Sequence, residues 1–284
     1  MLEDSTSKAK SIRLSKFFKY FVIILICAVC LIPFYMLLIL SLNKPQRIFY
    51  QGNMFVPDFY FKNYIDAWHK SNIGTAIINS AVITVESLAI ILIFGTMAAY
   101  TIARFDYKFN KFVFWLFMSC MMIPGIINTV PLYTLMIRLK AINTLWGMSL
   151  VCATIAMPSS VFIFTGFVKS VPREIEEAAI IDGCSWFKAF WKITLPLLKP
   201  SIAAVVILNG FGIWNNYAQA VFFLQDSKKH NIPQALSVYF QQFAGAHWNL
   251  MAATAVIAVI PVIVAFLVFQ KSLMKGLTAG ALKG

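Results

Sequence analysis

Four carboxylates fall within nine residues, at Glu174, Glu176, Glu177 and Asp182, in a chain that holds only 11 Asp and Glu in 284 residues. They belong to the stretch PREIEEAAIIDGCSWFKAFWKITLPLLKP (172–200), which lies between two long apolar runs. Pro172 suits the first turn of a helix, where its missing N–H is no loss. The three glutamates follow at the positive end of the helix dipole, where carboxylates are favoured. Ile175, Ala178, Ala179 and Asp182 then share one helical face, and its two central alanines allow a partner backbone to approach closely. Gly183 permits a sharp helix end, and Ser185 caps a second helix. The apolar stripe of that helix is Phe187, Phe190, Trp191 and Thr194, and Leu195-Pro196 closes it. The pattern describes two short helices joined at a glycine, a compact knob that docks against a partner. A solvated connector is the alternative, but it would need neither the adjacent alanines nor so many aromatics.

Other residues suited to chemistry are sparse. His69, His230 and His247 have no metal-ligand spacing with cysteine or carboxylate, and they are expected as solvated loop residues. Four of the five cysteines lie inside apolar runs, where a thiol behaves as a small buried hydrophobe. Asp182-Gly183 opens like the D-G-x-x-A-R of membrane phospholipid-forming transferases, but no Ala-Arg follows. No HExxH and no phosphate-binding G-x-x-x-x-G-K-[ST] loop occurs, so the chain is not expected to bind ATP or a metal itself. Two polar features stand inside apolar runs. Glu86 is expected to face the bundle interior, a polar partner or water, as a structural hydrogen bond or a substrate contact. Trp214, Asn215, Asn216 and Tyr217 combine amides with aromatic faces, the groups that hold an uncharged sugar. Interfacial anchoring and helix–helix hydrogen bonding account for them equally.

The elements that position these residues are set by composition. The chain is 60% hydrophobic and 12% charged, with a mean hydropathy of +0.76. A soluble core cannot use that much apolar surface. The net charge of +13 sits in short clusters between apolar runs, which suits a membrane protein and not a nucleic-acid binder. Six runs are long enough to cross about 30 Å of hydrocarbon as helices: about 20–43, 74–103, 112–137, 141–168, 200–225 and 249–270. Breaks are expected in the third at Pro124-Gly125 and Pro131, with kinks at Pro158 in the fourth and Pro261 in the sixth. The expected fold is therefore all-α, a single polytopic membrane domain over 1–284, with six spans and a two-helix loop at 170–199. Five basic residues precede the first span, three follow the second, five lie in 169–199 (Lys169, Arg173, Lys188, Lys192 and Lys199) and three in the 271–284 tail. Sixteen of the 24 thus share one side, so both termini and the knob are expected in the cytoplasm. The segments 56–68 and 230–249 then lie outside.

Glu177-Ala178-Ala179, three residues, Gly183, nine residues and Ile193-Thr194-Leu195-Pro196 resemble the EAA signature of permease subunits in binding-protein-dependent ABC importers. AAYTIARFDY (98–107) and GLTAGALKG (276–284) are similar to the maltose-type carbohydrate branch, and the resemblance covers nearly the whole chain. Cys184 stands where alanine is usual. The resemblance implies that Glu177, Ala178, Ala179, Asp182 and Gly183 seat in a groove of a cytoplasmic ATPase dimer, which would hold the ATP and magnesium. It further implies a homologous second permease, an extracytoplasmic sugar-binding protein and a place in the bacterial plasma membrane among its lipids. A permease for an amino acid or peptide shares the loop and stands as the alternative, and a membrane-embedded enzyme is more remote.

Overall fold

The computed structural model describes residues 2–45, 56–239 and 247–281, and every regular element among them is helical. In chain order these are α1 (Leu2–Leu42), α2 (Lys62–Lys70), α3 (Ile73–Ile90), a π turn (Ile91–Gly95) and α4 (Thr96–Arg104). Next come α5 (Lys108–Met121), α6 (Thr129–Arg138), α7 (Leu145–Ser170) and α8 (Arg173–Ile181). The short α9 (Trp186–Ala189) runs through a second π turn (Phe190–Thr194) into α10 (Leu195–Leu197). Then follow α11 (Lys199–Trp214), α12 (Ala220–Phe223), α13 (Ile232–Ser237) and α14 (Trp248–Ala281). That no strand occurs among the described residues follows from the solvent: in lipid a helix satisfies its own backbone hydrogen bonds.

Among the described residues, four stretches are long and apolar enough to span a bilayer unaided: Phe18–Leu42, Ile73–Arg104, Leu145–Ser170 and Trp248–Val268. They cover the first, second, fourth and sixth expected spans. The third differs. Its helix stops at Met121 and resumes at Thr129, so neither part reaches spanning length. Three-residue turns fill the gap, with the N–H of Met122 donating to the Ser119 carbonyl at 3.1 Å and that of Ile127 to the Pro124 carbonyl at 3.0 Å. Pro124, which has no N–H to give, is the physical cause. Pro131 lies in the first turn of α6, where it interrupts nothing. Pro158 and Pro261 sit inside unbroken helices. The fifth span ends at Trp214 and not at 225, and it is bent by 71° from the Trp186–Leu197 segment before it. The last helix runs beyond 270, to Ala281.

The chain divides into two compact units. The first comprises Met1–Lys70 and Tyr239–Ile257. Its organising residue is Asn63, buried at 1% exposure. The Asn63 amide donates to the carbonyls of Ser41 at 2.8 Å and Asn43 at 2.9 Å, and its oxygen accepts from Asn249 at 2.7 Å. Asn43 in turn accepts from the Asp58 N–H at 3.0 Å. The end of α1 is thereby closed by side-chain amides, which supply partners that a terminating helix lacks. Before that point α1 exposes Phe18, Ile24, Leu31 and Phe34, a surface suited to lipid.

The second unit comprises Ser71–Val238 and Ala258–Gly284. Its core joins α3 and α4 to α7 through Ile83, Ile91, Ala99, Val151 and Phe164, with Val205 added from α11. Small polar residues knit the same face: Ser87 donates to the carbonyls of Ile83 at 2.6 Å and Ser149 at 3.0 Å. Small residues at a helix contact let the backbones approach closely in a membrane. The expected outer segment 230–249 and the stretch 276–284 lie partly outside the described residues.

Asn63→Ala leaves two buried carbonyls and one amide without their partner. It is expected to cost about 2 kcal/mol, read as a lowered melting temperature in detergent. Asn249→Ala removes only one of the three bonds and should cost less. Equal melting of Asn63→Ala and the parent chain would contradict the role given to this residue.

Candidate functional site

The knob begins where α7 ends. Pro172 stands just before α8 as its N-cap, and Glu174 and Glu176 lie in the first turn. The helix closes as the sequence leads one to expect. Gly183 has φ +84, its N–H donates to the Ile180 carbonyl at 2.9 Å, and the Cys184 N–H donates to that of Ala179 at 2.9 Å. This pair of bonds is a Schellman motif, and the left-handed residue at its corner is the place for glycine. Ser185 caps α9, its hydroxyl accepting from the Lys188 N–H at 3.3 Å.

The surface of the knob is open. Glu177, Ala178, Asp182 and Gly183 are exposed and Ala179 is half-buried, flanked by Ile175 and by Ile181, which is 86% exposed. The aromatic stripe expected at Phe187, Phe190, Trp191 and Thr194 is divided. Phe190 and Thr194 are buried, while Phe187 and Trp191 are exposed. The stripe assumes 3.6 residues per turn, whereas Phe190–Thr194 is a π turn, in which each bond spans one more residue and the faces rotate out of register. Phe190 packs on Tyr100 with ring centroids 5.0 Å apart, and Trp186 meets Phe105 at 5.3 Å.

Beneath the exposed face lies a buried charge that the helix-dipole reading of the glutamates did not single out. Glu176 is 1% exposed. Arg104 reaches it with Nε 3.0 Å from both carboxylate oxygens and with Nη2 2.7 Å from Oε1. The Thr194 hydroxyl donates to Oε1 at 2.8 Å and that of Tyr100 to Oε2 at 3.2 Å. Arg104 also donates to the Val171 carbonyl at 3.0 Å, and Arg173 donates back to that of Ala103 at 3.3 Å. One carboxylate thus ties the second apolar run to both helices of the knob. A sequence signal did exist: Arg104 ends one run on the side of the membrane where Glu176 follows another. By contrast, Lys111 and Asp106 pair at 2.7 Å with both side chains mostly exposed, a geometry that contributes little to stability.

The polar residues inside the apolar runs are used locally. Ser149 donates to the Glu86 carboxylate at 2.8 Å. Trp214 ends α11, so the expected cluster falls at the turn after it. Asn215 donates to the Phe211 carbonyl at 3.0 Å. Asn216 accepts from the Gln219 N–H at 3.0 Å and contacts the Cys152 sulfur at 3.8 Å. Asn215 and Tyr217 are exposed, and Trp214 and Asn216 are half-buried. Beyond the turn, Asn79 donates to the carbonyls of Lys228 at 3.0 Å and His230 at 2.9 Å. Consequently His230 is half-buried and not a solvated loop residue. Burial holds its imidazole below the ordinary value, with the Asp226 carboxylate partly opposing. His69 and His247 are exposed as expected. Among the described residues no group of His, Cys, Asp and Glu is arranged to hold a metal ion.

Removing one partner from a buried ion pair strands the other charge and costs about 3–5 kcal/mol, whereas replacing both by apolar groups is often close to neutral. Arg104→Met is therefore expected to lower the melting temperature sharply, and Arg104→Met/Glu176→Leu to recover most of the loss. A double variant no more stable than the single one would show that the pair is not a closed unit.

Comparison with known proteins places this geometry. Residues 91–278 match the model of the binding-protein-dependent transport system inner membrane component family. The chain is 40% identical over 254 residues to the melibiose/raffinose/stachyose import permease protein MelC of Bacillus subtilis (strain 168), covering 89% of this chain and 91% of that one. It is 34% identical over 206 residues to the arabinooligosaccharides transport system permease protein AraQ of Halalkalibacterium halodurans, covering 72% and 73%. The fold is that of a bacterial ABC transporter involved in the import of the polysaccharide alginate, with a TM-score of 0.79, 21% identity, and 92% and 97% of the two chains covered. With its six apolar runs, its glycine-ended knob and a family match over most of its length, the chain belongs to the inner membrane components of binding-protein-dependent transport systems, and it is a transport subunit and not an enzyme.

Proposed function

We propose that the chain is one of two homologous permease subunits of a sugar importer and that its knob docks in the groove of a cytoplasmic ATPase. The observation that carries the docking is the open face of α8. Ala178, Ile175 and Ile181 leave small and apolar side chains uncovered beside the exposed Asp182 carboxylate, at a helix end locked by its Schellman turn. A free helix gains nothing from exposing isoleucine, whereas a docked one buries it and gains the apolar contact. Glu177 would fix the knob by charge-assisted hydrogen bonds, the alanines would set the distance of approach, and Gly183 the corner. ATP and its magnesium belong to the partner. Closure of the ATPase dimer would then draw the knobs together and turn the bundle from inward-facing to outward-facing. Both termini would lie in the cytoplasm of a bacterial cell, in its plasma membrane, with the opposite face open to a sugar-loaded binding protein.

The substrate class rests on the named relatives, whose names give oligosaccharides as their substrates. Of the residues proposed for the sugar path, the exposed Glu86, Asn215 and Tyr217 have the better access, Trp214 offers a stacking face, and Asn216 braces the turn. An amino-acid or peptide importer is the second reading, favoured only by the sharing of the knob among importers.

Purification from detergent-solubilised membranes tests the docking. The intact chain is expected to bring down an ATPase and a second permease, and Glu177→Lys/Gly183→Val to lose the ATPase while keeping the permease. Retention of the ATPase by that variant would remove the knob from its proposed role. Uptake of labelled melibiose, raffinose and stachyose, against a labelled dipeptide, tests the substrate class. Asn215→Ala and Tyr217→Ala are each expected to reduce sugar uptake about tenfold, the loss of roughly one good hydrogen bond or stacking contact.

A further inference from the structure

The docking face and the buried face of α8 are different surfaces. Glu177, Ala178 and Asp182 look outward, while Glu176 is enclosed. A docked knob can drive the bundle only if its displacement is passed on and not absorbed at its two connectors. Both connectors are pinned by the same group of side chains. At the entry, Arg104 holds the Val171 carbonyl at 3.0 Å, beside its contact with Glu176. At the exit, Thr194, the last residue of the second π turn, donates to Glu176 at 2.8 Å. The far side of the joint is the end of α4, from which both Tyr100 and Arg104 project one turn apart. Around the ion pair, Tyr100, Ala103, Val168, Phe190 and Leu198 form a separate buried cluster. The carboxylate therefore has no room to exchange its donors for water.

Stiffness near the joint contrasts with the helix farther in. α3 and α4 are joined by the π turn Ile91–Gly95, whose end residues are buried in the core. Wide turns of this kind inside α-helices interrupt the regular ladder and recur at functional sites. Displacement delivered at Arg104 meets this turn within three helical turns.

We propose that Glu176, held by Arg104, Tyr100 and Thr194, is the positioning residue that carries movement of the knob into α3 and α4, with the Ile91–Gly95 turn as the segment that yields. The proposal rests on the docking reading. Coupling here passes through a contiguous rigid network, the physical form in which distant sites bias one another. Glu177 belongs to the contact with the ATPase, and Glu176 to what that contact moves.

Hydrogen exchange on the whole assembly in lipid nanodiscs, with and without a non-hydrolysable ATP analogue and magnesium, separates the two readings. In the intact complex the analogue is expected to change protection in 173–183 and also in 91–104. In Glu176→Gln the response of 173–183 should remain and that of 91–104 should be lost. A merely structural loosening would instead raise exchange in 91–104 equally in both nucleotide states while the difference between them persisted, and that result would overturn the proposal. If Glu176→Gln fails to assemble, Tyr100→Phe, which removes a single hydroxyl, is expected to weaken the 91–104 response, and an unchanged response in that variant counts against the joint equally. An intact complex in which 173–183 does not respond to nucleotide would overturn the docking reading itself.

Discussion

A carboxylate cannot be taken out of water unless charge and hydrogen bonds replace what water supplied. At Glu176 that requirement is met by the guanidinium of Arg104 and the hydroxyls of Tyr100 and Thr194, and meeting it dictates much of the second unit. Tyr100 and Arg104 must sit one turn apart at the end of one helix, α8 must start close to that end, and the chain must return after Gly183 to bring Thr194 back. The turn at Gly183 and the π turn at Phe190–Thr194 are two devices that make the return possible. The constraint explains why a charged residue is buried beside a knob whose neighbouring glutamate is exposed. Two adjacent acids of identical chemistry are assigned opposite surroundings by one step along a helix.

The same economy governs the rest of the polar inventory. In the first unit, Asn63 closes the end of α1 by joining three backbone and side-chain partners. In the second, Asn79 gathers the Lys228 and His230 carbonyls, and Asn231 forms a capping box with Gln234 at the start of α13. Backbone left open by a turn at membrane depth has to be satisfied by protein, and amide side chains do that work without introducing charge. An amide in an apolar run is for this reason an ambiguous sign of substrate contact. Asn216 illustrates it: the residue has the chemistry of a sugar ligand, yet its oxygen accepts the Gln219 N–H.

Breaks in the helices follow the residue types only in part. α5 ends at Met121, three residues before Pro124, in a stretch where Met122 is 85% exposed. Pro158 leaves α7 continuous, since there the proline is itself buried and the helix is packed against α3 and α4. The missing N–H is the same in both, and the surroundings decide its consequence.

Read alone, the sequence determined the properties that depend on local chemistry and on total hydrophobicity. It established a helical membrane chain, the two helices of the knob, the glycine corner at Gly183 and the cap at Ser185, because each reflects a preference of the residues themselves. Only tertiary structure decided which glutamate is buried, that Arg104 and Thr194 meet on it from 72 and 18 residues away, and that the aromatic stripe of the second knob helix is split. It also decided that the fifth span stops at Trp214 and that His230 is half-buried. These outcomes depend on which surfaces pack together, and a partner far along the chain leaves no periodic trace near the residue it satisfies.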